Sequence, residues 1–184
     1  VPFVRADGRP LKLEVIRSRE SIARNRPAER HRHAFHSILF VREGRAIQEV
    51  DFTSYEVHSG TVLILPKGAG HREPQRDQFD GWEIIFTEDF FSRVQLELLQ
   101  AFMHYAIARR KLLITVPASA LEALSHYFEL ISLEETRPHN QNQTFILQNL
   151  MLALLNRLEG MVQHLPEQAS FIEKRKPFQQ FVRL

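Results

Sequence analysis

The sequence predicts an α+β fold in which a small antiparallel sandwich or barrel comes first and helices follow. Three observations carry that expectation. Before position 87 the apolar residues fall in short runs of about four to six, split by Gly, Pro and charged turns, as in all-β domains. Beyond Thr87 the apolar period lengthens to that of amphipathic helices. Strands and helices are also segregated along the chain instead of alternating, which argues against a doubly wound α/β sheet.

The candidate strands, in order, are Leu13–Ile16, Ser37–Arg42, Ala46–Phe52, Tyr55–His58, Thr61–Leu65 and Trp82–Phe86, each rich in β-branched, aromatic or leucine side chains. Thr87 is placed to cap a short helix, with Glu88 and Asp89 where the helix dipole favours carboxylates. Leu112–Val116 reads as one more strand. Ser119, with Glu122 three residues on, matches a capping box opening a helix that runs towards Arg137, where Pro138 ends it. Asn140 or Asn142 caps a longer helix reaching about His164.

Composition excludes several function classes. Of 184 residues 43% are hydrophobic and 25% charged, which is ordinary for a globular protein. The 24 Lys+Arg against 22 Asp+Glu leave +2, too little to argue for nucleic acid. Six arginines between Arg17 and Arg32 (Arg17, Arg19, Arg24, Arg26, Arg30, Arg32) have no interleaved aromatic to stack on bases and read as a solvated loop. Zero cysteines rules out disulfides and thiol catalysis and fits a reducing, cytoplasmic setting. No apolar run is long enough to span a membrane, and no export signal opens the chain. Starting at Val1 and stopping at Leu184 within a helix-like run, the chain reads as a piece of a longer protein.

The chemistry-bearing residues cluster in two stretches. His31 and His33 stand two apart, so on a strand they share a face, whereas His36 has the opposite parity and faces away. Later, Gly60 turns the chain into a buried strand, Pro66 ends it, and Gly68 and Gly70 permit the reversal that presents His71. Three imidazoles could thus meet at one point.

This pairing resembles the two motifs of the cupin superfamily of jelly-roll barrels. Gly60, Pro66, Gly68 and His71 stand at the spacing of the second motif, and His31 and His33 match the histidines of the first. Ser37 stands where metal-binding cupins carry a glutamate. With Gly81-Trp82 and the Ile85-to-Phe91 stretch, the whole string from His31 to Phe91 resembles the sensor domain of AraC-type transcriptional regulators. The resemblance implies a cupin-type barrel over residues 1–116 with a short helical insert near 88–110. An antiparallel helix pair for dimerisation follows over 117–166, and a linker and the start of a DNA-binding domain over 167–184. It also implies a small organic effector inside the barrel, and operator DNA bound only through a C-terminal helix-turn-helix domain absent from this chain.

The effector site is assigned to His31, His33, Ser37, Leu39, His71, Trp82 and Ile84. The inward parity of residues 82–86 stays open between Trp82/Ile84/Phe86 and Gly81/Glu83/Ile85. No catalytic residue and no cofactor are expected, nor a tightly bound metal, since Ser37 replaces the carboxylate. The alternative is a metal-dependent cupin enzyme using His31, His33 and His71. The homodimer is assigned to a 3-4 seam on the long helix, Leu147, Met151, Leu154, Leu158 and Met161, continued by Leu165.

Overall fold

The computed structural model describes residues 12–17, 29–109 and 111–164, apart from the side chains of 74–79 and 164. The linker expected over 167–184, Leu165, and Arg19, Arg24 and Arg26 lie outside the described residues.

The fold is α+β. Seven strands, β1 (Leu13–Arg17), β2 (His31–Arg32), β3 (His36–Val50), β4 (Thr53–His58), β5 (Thr61–Leu65), β6 (Gly70–Phe86) and β7 (Leu113–Thr115), form one sheet in the order β1-β6-β3-β5-β7. All pairings are antiparallel, with β2 on β6 and β4 on β3. A 3-10 turn (Glu88–Phe90) leads to helices α1 (Arg93–Ala108), α2 (Ala118–Glu135) and α3 (Gln143–His164).

Two long strands replace the short ones expected. The runs expected at 37–42 and 46–52 join into a single strand, β3, that ends at Val50, because the charged Gly44 segment does not turn. Gly44, at φ 88°, sits among three register shifts against β6 that bend the ladder without breaking it. β6 likewise extends back from Trp82 to Gly70. At the β3–β4 tip Asp51 and Phe52 take left-handed φ values of 44° and 69°. Asp51 is tied to the start of β6: its N–H donates to the Gly70 carbonyl (2.8 Å) and its Oδ1 accepts the Gly70 N–H (2.9 Å).

The sheet is buried on both faces. Ile38, Phe40, Val62, Ile64, Trp82, Ile84 and Phe86 point to the helices and join Leu99, Phe102, Leu124 and Phe128 in the main core. Leu39, Val41, Ala46, Val50, Val57, Leu63 and Leu65 make a second, inner core between strands.

The long-helix seam belongs to the main core. Leu147, Met151, Leu154 and Leu158 are buried among the chain's own residues, and Met161 packs against them half-buried. They are therefore not a dimer surface, which corrects that assignment. Among the described residues the large apolar side chains that the helices leave exposed are Val94, Leu98 and Ile107 on α1, Leu130 and Leu133 on α2, and Phe145 and Ile146 on α3.

Helix starts differ too. α2 begins one residue earlier than its expected cap, after Pro117, so Ser119 lies inside the first turn and no capping box forms there. The box forms instead at Ser92 with Gln95, opening α1. For α3 it is the Asn140 carboxamide that accepts the N–H groups of Asn142 and Gln143, at 2.9 and 3.0 Å. Thr87 flanks the 3-10 turn without a side-chain cap bond.

Candidate functional site

β2 is only two residues long, yet it delivers the site. His31 pairs with His71 across β2 and β6, and the Gly68 N–H donates to the His33 carbonyl at 3.0 Å. Gly68 itself sits at φ 81°, a conformation side-chain-bearing residues rarely adopt. The turn from Pro66 to Gly70 is thus stitched to residues 31–33.

The three rings converge, with centroids 4.4 Å (His31–His71), 4.6 Å (His31–His33) and 4.7 Å (His33–His71) apart. One nitrogen from each lies within 4.8 Å of the others. His31 Nδ1–H donates to the Glu29 carbonyl at 2.9 Å, which leaves Nε2 to face the cluster. That Nε2 faces His33 Nε2 at 3.0 Å, within hydrogen-bond distance. His33 stacks on Phe35 (4.2 Å), and its Nδ1 is buried with no hydrogen-bond partner among the described residues. Burial first, then the neighbouring His71 and His31, hold the His33 imidazole down at about 4, so it is neutral at pH 7.

The inner parity of β6 is Gly81/Glu83/Ile85. Glu83 pairs with Leu39 and Ile85 with Ser37, so these residues share one face. Ser37 Oγ donates to Glu83 Oε1 at 2.7 Å, and both side chains are buried. The Glu83 charge reaches His33, where it opposes the downward shift. Trp82 and Ile84 are on the other face, and their assignment to the site is corrected. Trp82 lies between Phe40 (5.9 Å) and Phe128 (6.1 Å) in the helix-side core. Glu83, Ile85 and Phe35 take their place. A lone acid in the otherwise apolar run Trp82–Phe86 was the available signal for Glu83.

His36 faces away from the cluster. It stacks on Phe86 (5.5 Å), accepts the Lys67 N–H at Nδ1 (3.1 Å) and reaches Glu88 through Nε2 (3.4 Å). Burial is the main cause that pulls its pKa below 6.5, Lys67 adds to it, and Glu88 opposes. The unfolded chain therefore binds this proton more readily, and stability is lost as pH falls below about 6.5. Urea titrations at pH 7.5 and 5.5 are expected to show a drop in midpoint that His36→Gln reduces; an unchanged drop in the variant contradicts it.

As donors for a metal, three imidazoles with a nearby carboxylate suit a first-row transition ion better than calcium or magnesium. As a binding surface, the same groups form the polar end of an apolar interior. Of the arginines, Arg30 pairs with Glu49 (2.8 Å), Arg32 donates to the Gly68 carbonyl and Arg17 lies over Trp82 (5.2 Å), so these three serve local structure.

No family model matches the chain, and no curated protein matches it. Among solved structures, similar chains include a variant of apo ToxT from Vibrio cholerae (11% identity, 86% of this chain and 59% of that one, TM-score 0.45). The AraC-like transcriptional activator CuxR is 13% identical over 75% of this chain and 46% of its own, at TM-score 0.44. The EutQ protein of Clostridium difficile is 17% identical over 32% of this chain and 46% of its own, at TM-score 0.29. The chain spans about half the length of each of these three.

Proposed function

We propose that this chain is the ligand-sensing and dimerisation domain of an AraC-type transcriptional regulator, a cytoplasmic binding module and not an enzyme. The motif string from His31 to Phe91 supports the family. The observation that supports the sensing role is the convergence of His31, His33 and His71, with the buried Ser37–Glu83 pair close enough for its charge to reach His33, on an inner face otherwise lined by Leu39, Ile85 and Phe35. Such a surface suits a small organic molecule with an apolar body and one hydrogen-bonding end. The buried His33 Nδ1 has no hydrogen-bond partner among the described residues, and leaving such a group unsatisfied costs about 1–3 kcal/mol, so a ligand or water that satisfies it binds favourably. Among the described residues no helix is long and apolar enough to cross a membrane. Operator DNA would be bound by a helix-turn-helix domain and not by these residues.

Native mass spectrometry of freshly purified protein tests this. The expected result is a bound organic molecule released on denaturation, retained by wild type and lost from His33→Ala/His71→Ala. A molecule retained equally by the double variant rejects the site. A metal-dependent cupin enzyme is the second reading, favoured by the same three imidazoles, and it is distinguished by conversion of the bound molecule instead of its recovery unchanged.

Dimerisation is assigned to the apolar side chains that α2 and α3 leave exposed. Gln143 Nε2 donates to the Glu134 carbonyl at 2.8 Å, which holds the end of α2 against the start of α3. Leu133 (61% exposed) and Phe145 (65%) flank this junction, with Leu130 and Ile146 beside them. An exposed apolar cluster of this kind marks an interaction surface. Leu133→Asp with Phe145→Asp is expected to keep the fold and halve the mass in sedimentation equilibrium. A dimer that survives both charges contradicts the placement.

A further inference from the structure

We propose that the molecule bound at the histidine end is a non-acidic compound with a second hydrogen-bonding group, read by the carboxamide of Gln48 on β3. This rests on the sensing role proposed above and adds to it a specificity-determining residue and a ligand class.

Gln48 is a polar residue in an apolar wall. It is only 2% exposed, and it alternates with Ala46 and Val50, which belong to the inner core. Side chains two apart on a strand share a face, so Gln48 lies on that inner face as well. Its partner on β4 is Tyr55, half-buried against the same core. On the other side β6 advances three residues, from Arg72 to Gln75, while β3 advances two, between Glu49 and Ile47. A bulge of this kind re-aims side chains, and Gln48 stands at its centre. Glutamine is seldom buried this fully, because its two N–H donors and its carbonyl call for hydrogen-bonding partners.

The register also sets the separation from the histidines. Val50 pairs with His71, so Gln48 and His71 are diagonal neighbours across β3 and β6. Diagonal neighbours on one face stand about 7–8 Å apart, within reach of long side chains. Val57, Leu63 and Leu65 supply apolar surface on the same face. A molecule with a short apolar body and a hydrogen-bonding group at each end matches this arrangement.

Charge argues against an acid as that molecule. Glu83 is buried on the inner face, where Ser37 Oγ donates to it at 2.7 Å, and its charge reaches His33. A carboxylate held by the imidazoles would meet a charge of its own sign where water screens it poorly. The Gln48 carboxamide is neutral and offers no compensating cation at the other end. Hydroxyl groups suit both ends, since each donates one hydrogen bond and accepts others.

The test titrates the 184-residue chain with two pairs of alcohols and follows backbone amide shifts. One pair is benzyl alcohol and para-hydroxybenzyl alcohol; the other is butanol and the butanediol with a hydroxyl at each end. Wild type is expected to bind the two-ended member of a pair about three- to tenfold more tightly. Para-hydroxybenzoate is expected to bind more weakly than para-hydroxybenzyl alcohol. Gln48→Leu is expected to remove the preference and keep the affinity for the one-ended alcohol, whereas His33→Ala/His71→Ala weakens both members. Far-ultraviolet circular dichroism checks folding, and Gln48→Met decides if Gln48→Leu is not folded. No preference in wild type, or one that persists in the folded Gln48 variant, overturns the Gln48 contact while the histidine dependence stands. Full-strength binding of both members by the histidine double variant rejects the underlying site, and this proposal with it. Tighter binding of the acid overturns the ligand class. Failure of either two-ended alcohol to saturate wild type overturns recognition at two points.

Discussion

Leu154→Asp is expected to abolish the cooperative fold instead of splitting a dimer. Leu154 is fully buried, as are Met151 and Leu158 on the same helix and Phe128 and Ile131 on α2. All five belong to the core that joins the helices to the sheet. Losing a buried leucine costs about 2–5 kcal/mol, and burying an unpaired carboxylate adds several more. A domain has only about 5–15 kcal/mol in total. Far-ultraviolet circular dichroism in a urea titration checks this, with no sigmoidal transition expected for the variant. A folded monomer with a wild-type midpoint would instead return these residues to an interface.

The second large effect is expected at Gly81. It pairs with Val41 on β3, and a Cβ added there would sit 2.0 Å from the Phe40 carbonyl oxygen. The obstruction is backbone, so no side chain can turn away from it. β3 and β6 must separate, and the stacked Phe40 and Trp82 rings move with them. Overpacking in a core typically costs about 1–3 kcal/mol, and a clash with backbone in the central pair belongs at or above the top of that range. Gly81→Ala is therefore expected to lower the unfolding free energy by that amount, read as a fall in the urea midpoint followed by Trp82 fluorescence. A midpoint within error of wild type would mean the strands do not approach so closely.

These two cases also mark where the sequence was legible. The strand-then-helix order and the positions of β1, β5, β7 and the helices follow from local periodicity, which survives in any tertiary context. The histidine cluster was legible because period two and the Gly60-to-His71 spacing constrain direction as well as position. The seam was not, because a 3-4 stripe says that a helix face is buried and is silent about what buries it. Here α2 and the sheet cover it. The parity of residues 82–86 was hidden for a related reason: a strand buried on both faces lacks the alternation that tells them apart. Ser37 was read alone as a missing ligand, whereas its partner Glu83 is remote in sequence and adjacent only across the β3–β6 ladder.

The claim that joins these observations is that ligands enter at the polar end of the inner face. Histidine side-chain resonances in a nitrogen-15 long-range correlation spectrum test it most directly. A panel of small organic acids, sugars and amino-acid derivatives would be titrated and its binders identified by calorimetry. The account predicts that a stoichiometric binder shifts the resonances of His31, His33 and His71 saturably while those of the exposed His58, His104 and His126 stay in place. A stoichiometric binder that leaves the three cluster resonances unmoved contradicts it.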